Sequence, residues 1–246
     1  MSKSERAGAS ARIATTGVAF LVAASIGWGI NFPIMKNLLT EWPPLSSRGL
    51  AGVAGALALA AFALYRKQSL GVPRAMWLRL LLVSLLTMAA WTAFMGLALV
   101  WLSGSEAAVM STSLPVWAAF LAWPILGERI SIVRALALAV ALVGITVMIG
   151  GDGFASSFAQ WPGIAFALVG TVAVALGTIL TKHFPLAMPP LALASWQLWL
   201  GCLPVAIVGL IIERPDVATL SSIGWASMAY LTLIQFGLSY VCWFAA

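Results

Sequence analysis

Apolar residues gather along this chain into eight long strings, 13–35, 44–65, 76–101, 106–126, 131–150, 161–182, 189–212 and 223–244, joined by short polar or turn-forming connections. A helix needs about 20 apolar residues, at 1.5 Å of rise each, to cross the hydrocarbon core of a bilayer, so every string is long enough to span it. None alternates in the manner of a barrel strand, and open strand edges are not tolerated in lipid. The pattern therefore predicts an all-α polytopic membrane protein with eight spans.

The strings are not independent. GVAFLVAASIGWGINFPIMK at 17–36 is answered by GIAFALVGTVAVALGTILTK at 163–182, and Pro43, Pro44 and Leu45 are answered in the same register, 146 positions later, by Pro189, Pro190 and Leu191. The copy begins five spans after the original, an odd step, so it enters the membrane from the opposite side. This predicts an inverted repeat of five-helix bundles: a first unit over 1–150 and a second over 151–246 that is cut short after its third helix. Pairing Gly237–Ala246 with Ala89–Ala98 leaves 99–150 without a counterpart, which predicts two more helices, ten in all, in the natural protein. Internal repeats of this kind are the usual construction of secondary transporters, with the substrate site between the halves near the midplane.

Composition excludes a soluble globule: 62% of residues are hydrophobic and 8% charged, with a mean hydropathy of +1.03. The net charge of +6 is spread over short loops rather than massed on a face, so nucleic acid is not an expected partner; the lipid bilayer and a small-molecule substrate are. With the N-terminus inside, Lys3, Arg6, Arg12, Arg66, Lys67, Arg74, Arg129, Arg134 and Lys182 collect in the cytoplasm. Few basic residues, Lys36 and Arg214 among them, fall outside. Residues 1–12 precede an apolar string too long for a signal-peptide core, so the first helix is read as retained. Cys202 and Cys242 sit in apolar runs and imply no disulfide framework.

No nucleophile with its base, carboxylate pair, metal-ligand cluster or phosphate-binding glycine loop stands within the strings, so neither an enzyme nor a metal or other cofactor is expected. The sole histidine, His183, falls in a predicted loop.

Four elements carry a family resemblance: GWGINFPIMK at 27–36, PPLSSR at 43–48, Pro115 inside the fourth string and LGERIS at 126–131. In this order and spacing they resemble the bacterial drug/metabolite transporter superfamily, EamA type, and within it the YddG-like exporters of aromatic and other neutral amino acids. The resemblance implies ten helices in two inverted five-helix repeats and export of amino acids or related metabolites across a bacterial inner membrane. The second copy departs from the first, with Val174 in place of Trp28 and Gly177 in place of Asn31.

Candidate pathway residues follow from polarity inside the strings. An amide such as Asn31 costs free energy in lipid unless a neighbouring helix or a cavity satisfies it. Arg48, near the start of the second string, either snorkels to the interface, the slightly favoured reading, or faces the cavity and pairs a substrate carboxylate. Thr87 and Trp91 recur 148 positions later as Gln235 and Ser239, a polar stripe in both halves. Glu106 opens the fourth string, where a carboxylate suits the positive end of the helix dipole. Ser111 lies about one turn before Pro115, and proline frees a backbone carbonyl, so Pro115, with Pro33 in the first string, is a candidate hinge. Trp91 and Trp117 are placed to stack on an aromatic or cationic substrate. Trp101 stands at an outer interface, as belt residues do, but is kept in the pathway set together with Thr178.

The reading is alternating access around a midplane cavity. The near absence of carboxylates in the strings suggests downhill or weakly proton-coupled export. The rivals are a phosphate-bearing metabolite carrier of the same superfamily, which needs several cavity cations where only Arg48 is on offer, and a channel or non-transporting scaffold.

Overall fold

The computed structural model describes residues 3–127 and 154–245, together with 136, 139, 140, 143 and 144. Among the described residues the elements are all helical: α1 (Lys3–Leu38), α2 (Pro44–Tyr65), α3 (Arg74–Trp101), α4 (Gly104–Leu126), α5 (Phe154–His183), α6 (Pro190–Ile212) and α7 (222–245). Six of them, α1 to α6, are long and apolar enough to cross a membrane. The expected eighth string is helical, as α7, and the expected fifth, with the basic loop and most of the LGERIS element before it, lies almost wholly outside the described residues.

Local chemistry sets the boundaries. The repeated Pro-Pro-Leu starts both α2 and α6: Pro43 and Pro189 are extended N-caps (φ −70°, ψ 155° and φ −55°, ψ 136°), each followed by a proline in the first helical turn. Proline is at home there because its missing N–H would have had no partner in any case. At the start of α4, Ser103 and Glu106 form a capping box: Glu106 N donates to Ser103 Oγ (3.2 Å) and Ser103 N donates to Glu106 Oε2 (2.7 Å), the terminal role expected of this carboxylate.

Three of the described helices are interrupted. α4 breaks at Thr112–Ser113 and restarts with Pro115 in the first turn of its second piece, whereas α1 runs through Pro33 without a break. α3 carries a π-helical segment at Leu85–Ala89 and α7 one at Leu231–Leu238, so the widened turns begin 146 positions apart. Such insertions often mark functional positions.

Close contacts fix the helix directions. α3 and α5 lie antiparallel: Gly163 abuts Ala98 and Trp101, Gly170 abuts Phe94, and Gly177 abuts Leu86 and Thr87. α1 ends beside the end of α3, where Lys36 Nζ donates to Leu99 O at 2.6 Å. Hence α1 and α5, the two copies of the repeated string, run in opposite directions. α2 and α6 are also antiparallel, with Gly49 on Ala206, Gly52 on Cys202 and Gly209 on Ser46; small residues at each crossing bring the backbones together. α7 returns antiparallel to α1, since Glu41 meets Ser221 at one end and Gly27 meets Ser239 further along.

Candidate functional site

Where α2, α3, α6 and α7 converge, Arg48 is wholly buried, at 0% exposure. Its stem passes over Gly96 of α3, where a Cβ would lie 2.9 Å from Arg48 Cδ, so the missing side chain makes room for it. Its charge lies within electrostatic range of Cys202 on α6 and Tyr240 on α7. Nε, Nη1 and Nη2 are all buried without a hydrogen-bond partner. The expected snorkelling does not occur, because the first turn of α2 is itself covered: Gly209 packs on Ser46, and Glu213 occupies the helix terminus. An unpaired buried charge costs several kcal/mol, so an arginine held this way calls for an anion.

Around it, Thr92 and Cys202 approach at 3.7 Å (Oγ1 to Sγ), and Tyr240 donates its hydroxyl to Met88 Sδ at 3.1 Å, tying α3 to α6 and α7. Trp28 stands edge-on to Tyr240 with ring centroids 5.7 Å apart and donates Nε1–H to Gln235 O at 3.3 Å. Tyr230 donates to Gly27 O at 2.8 Å.

Along the α1–α7 seam lie three of the expected pathway residues. Asn31, Gln235 and Ser239 are buried, and Asn31 Oδ1, Gln235 Oε1 and Ser239 Oγ lack partners. Ser239 Oγ abuts Gly27, so on antiparallel helices Asn31, one turn further along α1, stands at the level of Gln235. The matching place in the α3–α5 seam is Thr87 against Gly177. There a Cβ on Gly177 would come 2.6 Å from Thr87 Cγ2, and Thr87 Oγ1 donates to Val83 O at 2.7 Å. One seam is closely packed where the other holds two amide oxygens without partners.

Not every expected residue joins this centre. Trp91 is half-buried against the core. Trp117 is half-buried with its Nε1 unpartnered, tilted against Phe120 at 6.4 Å, while Ser111 donates to Ala108 O at 2.6 Å beside the α4 break. Trp101 lies apart from this cluster: it is 39% exposed at the end of α3 and stacks on Phe166 at 5.6 Å, a geometry that suits a belt residue. Thr178 lies on the exposed face of α5 and donates to Val174 O at 2.8 Å, because the neighbouring Gly177 takes the inward position. Trp28, Thr92, Cys202 and Tyr240 were not anticipated as site neighbours; the signal for Tyr240 was its place next to Ser239.

A separate groove of about 690 Å³ opens between α1 and α4, lined by Gly29, Phe32, Pro33, Lys36, Gly104 and Ser105 with their neighbours. Of the expected residues only Pro33 reaches it.

The model of the EamA-like transporter family matches residues 15–150 and, a second time, 161–246. The chain is 28% identical over 235 residues to the uncharacterized transporter YvbV of Bacillus subtilis, covering 92% of this chain and 72% of that one. It is 24% identical over 233 residues to the WAT1-related chloroplastic protein At3g02690 of Arabidopsis thaliana, covering 91% of this chain and 55% of the relative, so it spans about half of that protein's length. A solved crystal structure shares the fold, with a TM-score of 0.67 at 18% identity, covering 94% of this chain and 78% of the other. With its membrane-length helices and a family match over most of its length, the chain belongs to the EamA-like transporter family.

Proposed function

We propose that this transporter is a multi-pass inner-membrane exporter of amino acids or related small metabolites, aromatic and neutral ones favoured as in the YddG-like members, and that it works by alternating access between two inverted repeats. The observation that carries this reading is the opposed direction of α1 and α5, whose sequences are copies. The double family match and the equivalent π segments in α3 and α7 support the same division into 1–150 and 151–246. Two pseudo-equivalent bundles can exchange conformations about a site between them, which opens each membrane side in turn.

With the N-terminus in the cytoplasm, the end that holds Glu41 and Glu213 faces outward. There Ser221 N and Oγ donate to the Glu41 carboxylate (2.8 and 2.7 Å), and Trp42 Nε1 donates to Asp216 O (2.8 Å). At the opposite end, Trp196 Nε1 donates to Leu70 O at 2.8 Å and Trp77 meets Trp196 edge-on. Among the described residues the buried polar side chains are amides, hydroxyls and one guanidinium, with no carboxylate or histidine. This favours a small substrate moved downhill or with weak proton coupling. One cation also argues against a phosphate-bearing cargo.

The test is counterflow of labelled neutral and aromatic amino acids in proteoliposomes. Saturable exchange is expected. Non-saturating conduction would favour a channel, and no flux of any solute would leave a scaffold.

A further inference from the structure

We propose that Arg48 is the recognition point for a carboxylate on the transported molecule, so that the substrate supplies the counter-charge that the fold withholds. This deepens the transporter reading and rests on it. The guanidinium is fully buried, and all three of its nitrogens lack a partner. The acidic side chains at that end of the bundle are committed elsewhere: Glu213 at the start of α2, Glu41 at the start of α7, Glu106 in its capping box and Asp216 on Ala218 N. The space the side chain occupies is set by glycine, since a Cβ at Gly96 would press on Arg48 Cδ at 2.9 Å.

The other unpartnered groups give the direction. Asn31 Oδ1 and Gln235 Oε1 are carbonyl oxygens, which accept hydrogen bonds and repel an anion. The Ser239 hydroxyl, also without a partner, can accept as well. An anionic end is therefore steered to Arg48, while N–H or O–H groups of the same molecule find acceptors on the α1–α7 wall. Tyr240 connects the two regions, next to Ser239 in sequence and near Arg48 in space. The planar fork of a guanidinium fits a carboxylate with two parallel hydrogen bonds, and a lone fork suits one carboxylate better than a doubly charged phosphate. Because the guanidinium is sealed from solvent here, a substrate reaches it only when the surrounding helices part.

The experiment is counterflow in proteoliposomes that hold the full-length protein, with neutral L-amino acids, their carboxamides and phenyl phosphate as competitors, for wild type, Arg48→Met and Arg48→Lys. Thermal unfolding is followed in parallel. For wild type, each amino acid that exchanges should compete at least tenfold better than its amide and better than phenyl phosphate. Arg48→Met should melt at or above the wild-type temperature and lose that preference. Arg48→Lys, which keeps the charge and loses the fork, should raise half-saturation at least tenfold. Amides that compete as well as acids, phenyl phosphate as the better competitor, or a preference that survives in Arg48→Met would each overturn the anchor while leaving saturable transport in place. An Arg48→Met protein that melts well below wild type, with Arg48→Lys normal in transport, would show a structural arginine instead. Absence of saturable exchange in wild type would defeat the carrier reading itself.

Discussion

The Glu213 carboxylate at the end of α6 closes on Ser46 at the start of α2: Oε2 accepts from both Ser46 N (2.7 Å) and Ser46 Oγ (2.6 Å), and Oε1 accepts from Leu45 N (2.9 Å). α2 has no side-chain cap of its own, because its N-cap is Pro43. An acid from α6's end thus supplies the charge that the positive end of this helix favours. Glu41, just past the end of α1, accepts from Ser221 N and Oγ at the start of α7, whose own N-cap is the Ser221 hydroxyl. Each acid ties the end of one helix to the start of another.

Those ties predict a gate. Glu213→Gln keeps the shape and removes the charge from three hydrogen bonds, which should cost about 1–2 kcal/mol of closure at this end. Cys202, buried beneath it on Gly52, is the natural reporter. A membrane-impermeant maleimide added from the side that holds Glu41 and Glu213 should label Cys202 several-fold faster in Glu213→Gln, and faster still with Glu41→Gln added. Unchanged labelling in both variants would show that these caps are passive.

Glycines at two positions should respond oppositely to a methyl group. At Gly96 an added Cβ meets Arg48, so Gly96→Ala should displace the side chain and reduce transport at least tenfold. At Gly29 nothing lies within 4 Å of the added atom, and alanine in a helix is favoured over glycine by roughly 0.5–1 kcal/mol. Gly29→Ala should therefore transport normally and melt slightly higher. Equal losses in the two variants, read from initial rates and thermal melts, would remove the special place of Gly96.

Asn31 and Gln235 invite a test in which stability and function part company. Their carbonyl oxygens are buried and unpartnered, a state that costs free energy, so Asn31→Leu and Gln235→Leu should leave the melting temperature unchanged or raise it. Transport should fall at least tenfold. Destabilisation in both variants, seen in thermal unfolding of the purified protein, would instead mark the amides as interhelical packing.

How far the sequence anticipated this arrangement depended on the kind of information each residue carries. The helices were legible because lipid demands an apolar length, and the opposed course of α1 and α5 followed from the odd number of helical steps between copies. Polarity alone picked out Asn31, Gln235 and Ser239, whose burial the structure describes. It is silent for Thr178 because a threonine hydroxyl can satisfy itself on its own helix, so its presence in an apolar string says nothing about which way it faces. It failed for Arg48 because snorkelling is decided by what covers the side chain, here α3 and α6, and no reading of one helix reveals that. The partnership of Tyr240 with Met88 joins residues 152 positions apart and depends on tertiary packing alone.

The break in α4 supports a final prediction about rate rather than affinity. Three consecutive hydroxyls turn back onto the carbonyls of the preceding turn, which also accept the Thr112 and Ser113 N–H groups: Ser111 Oγ donates to Ala108 O, Thr112 Oγ1 to Val109 O and Ser113 Oγ to Met110 O, at 2.6 to 2.7 Å. Backbone groups at a broken helix in lipid must find partners, and here tight backbone turns and the three hydroxyls share the last carbonyls of the first piece. Pro115, in the first turn of the second piece, is what keeps the two pieces from fusing, since it lacks an N–H to donate to the preceding turn. Pro115→Ala restores that donor and should let α4 become continuous. The variant should melt higher, keep its half-saturation concentration and lose several-fold in maximal exchange rate, because a continuous helix resists the bending on which the proposed alternating access would draw. A raised half-saturation at unchanged maximal rate would instead place Pro115 at the substrate rather than at a hinge.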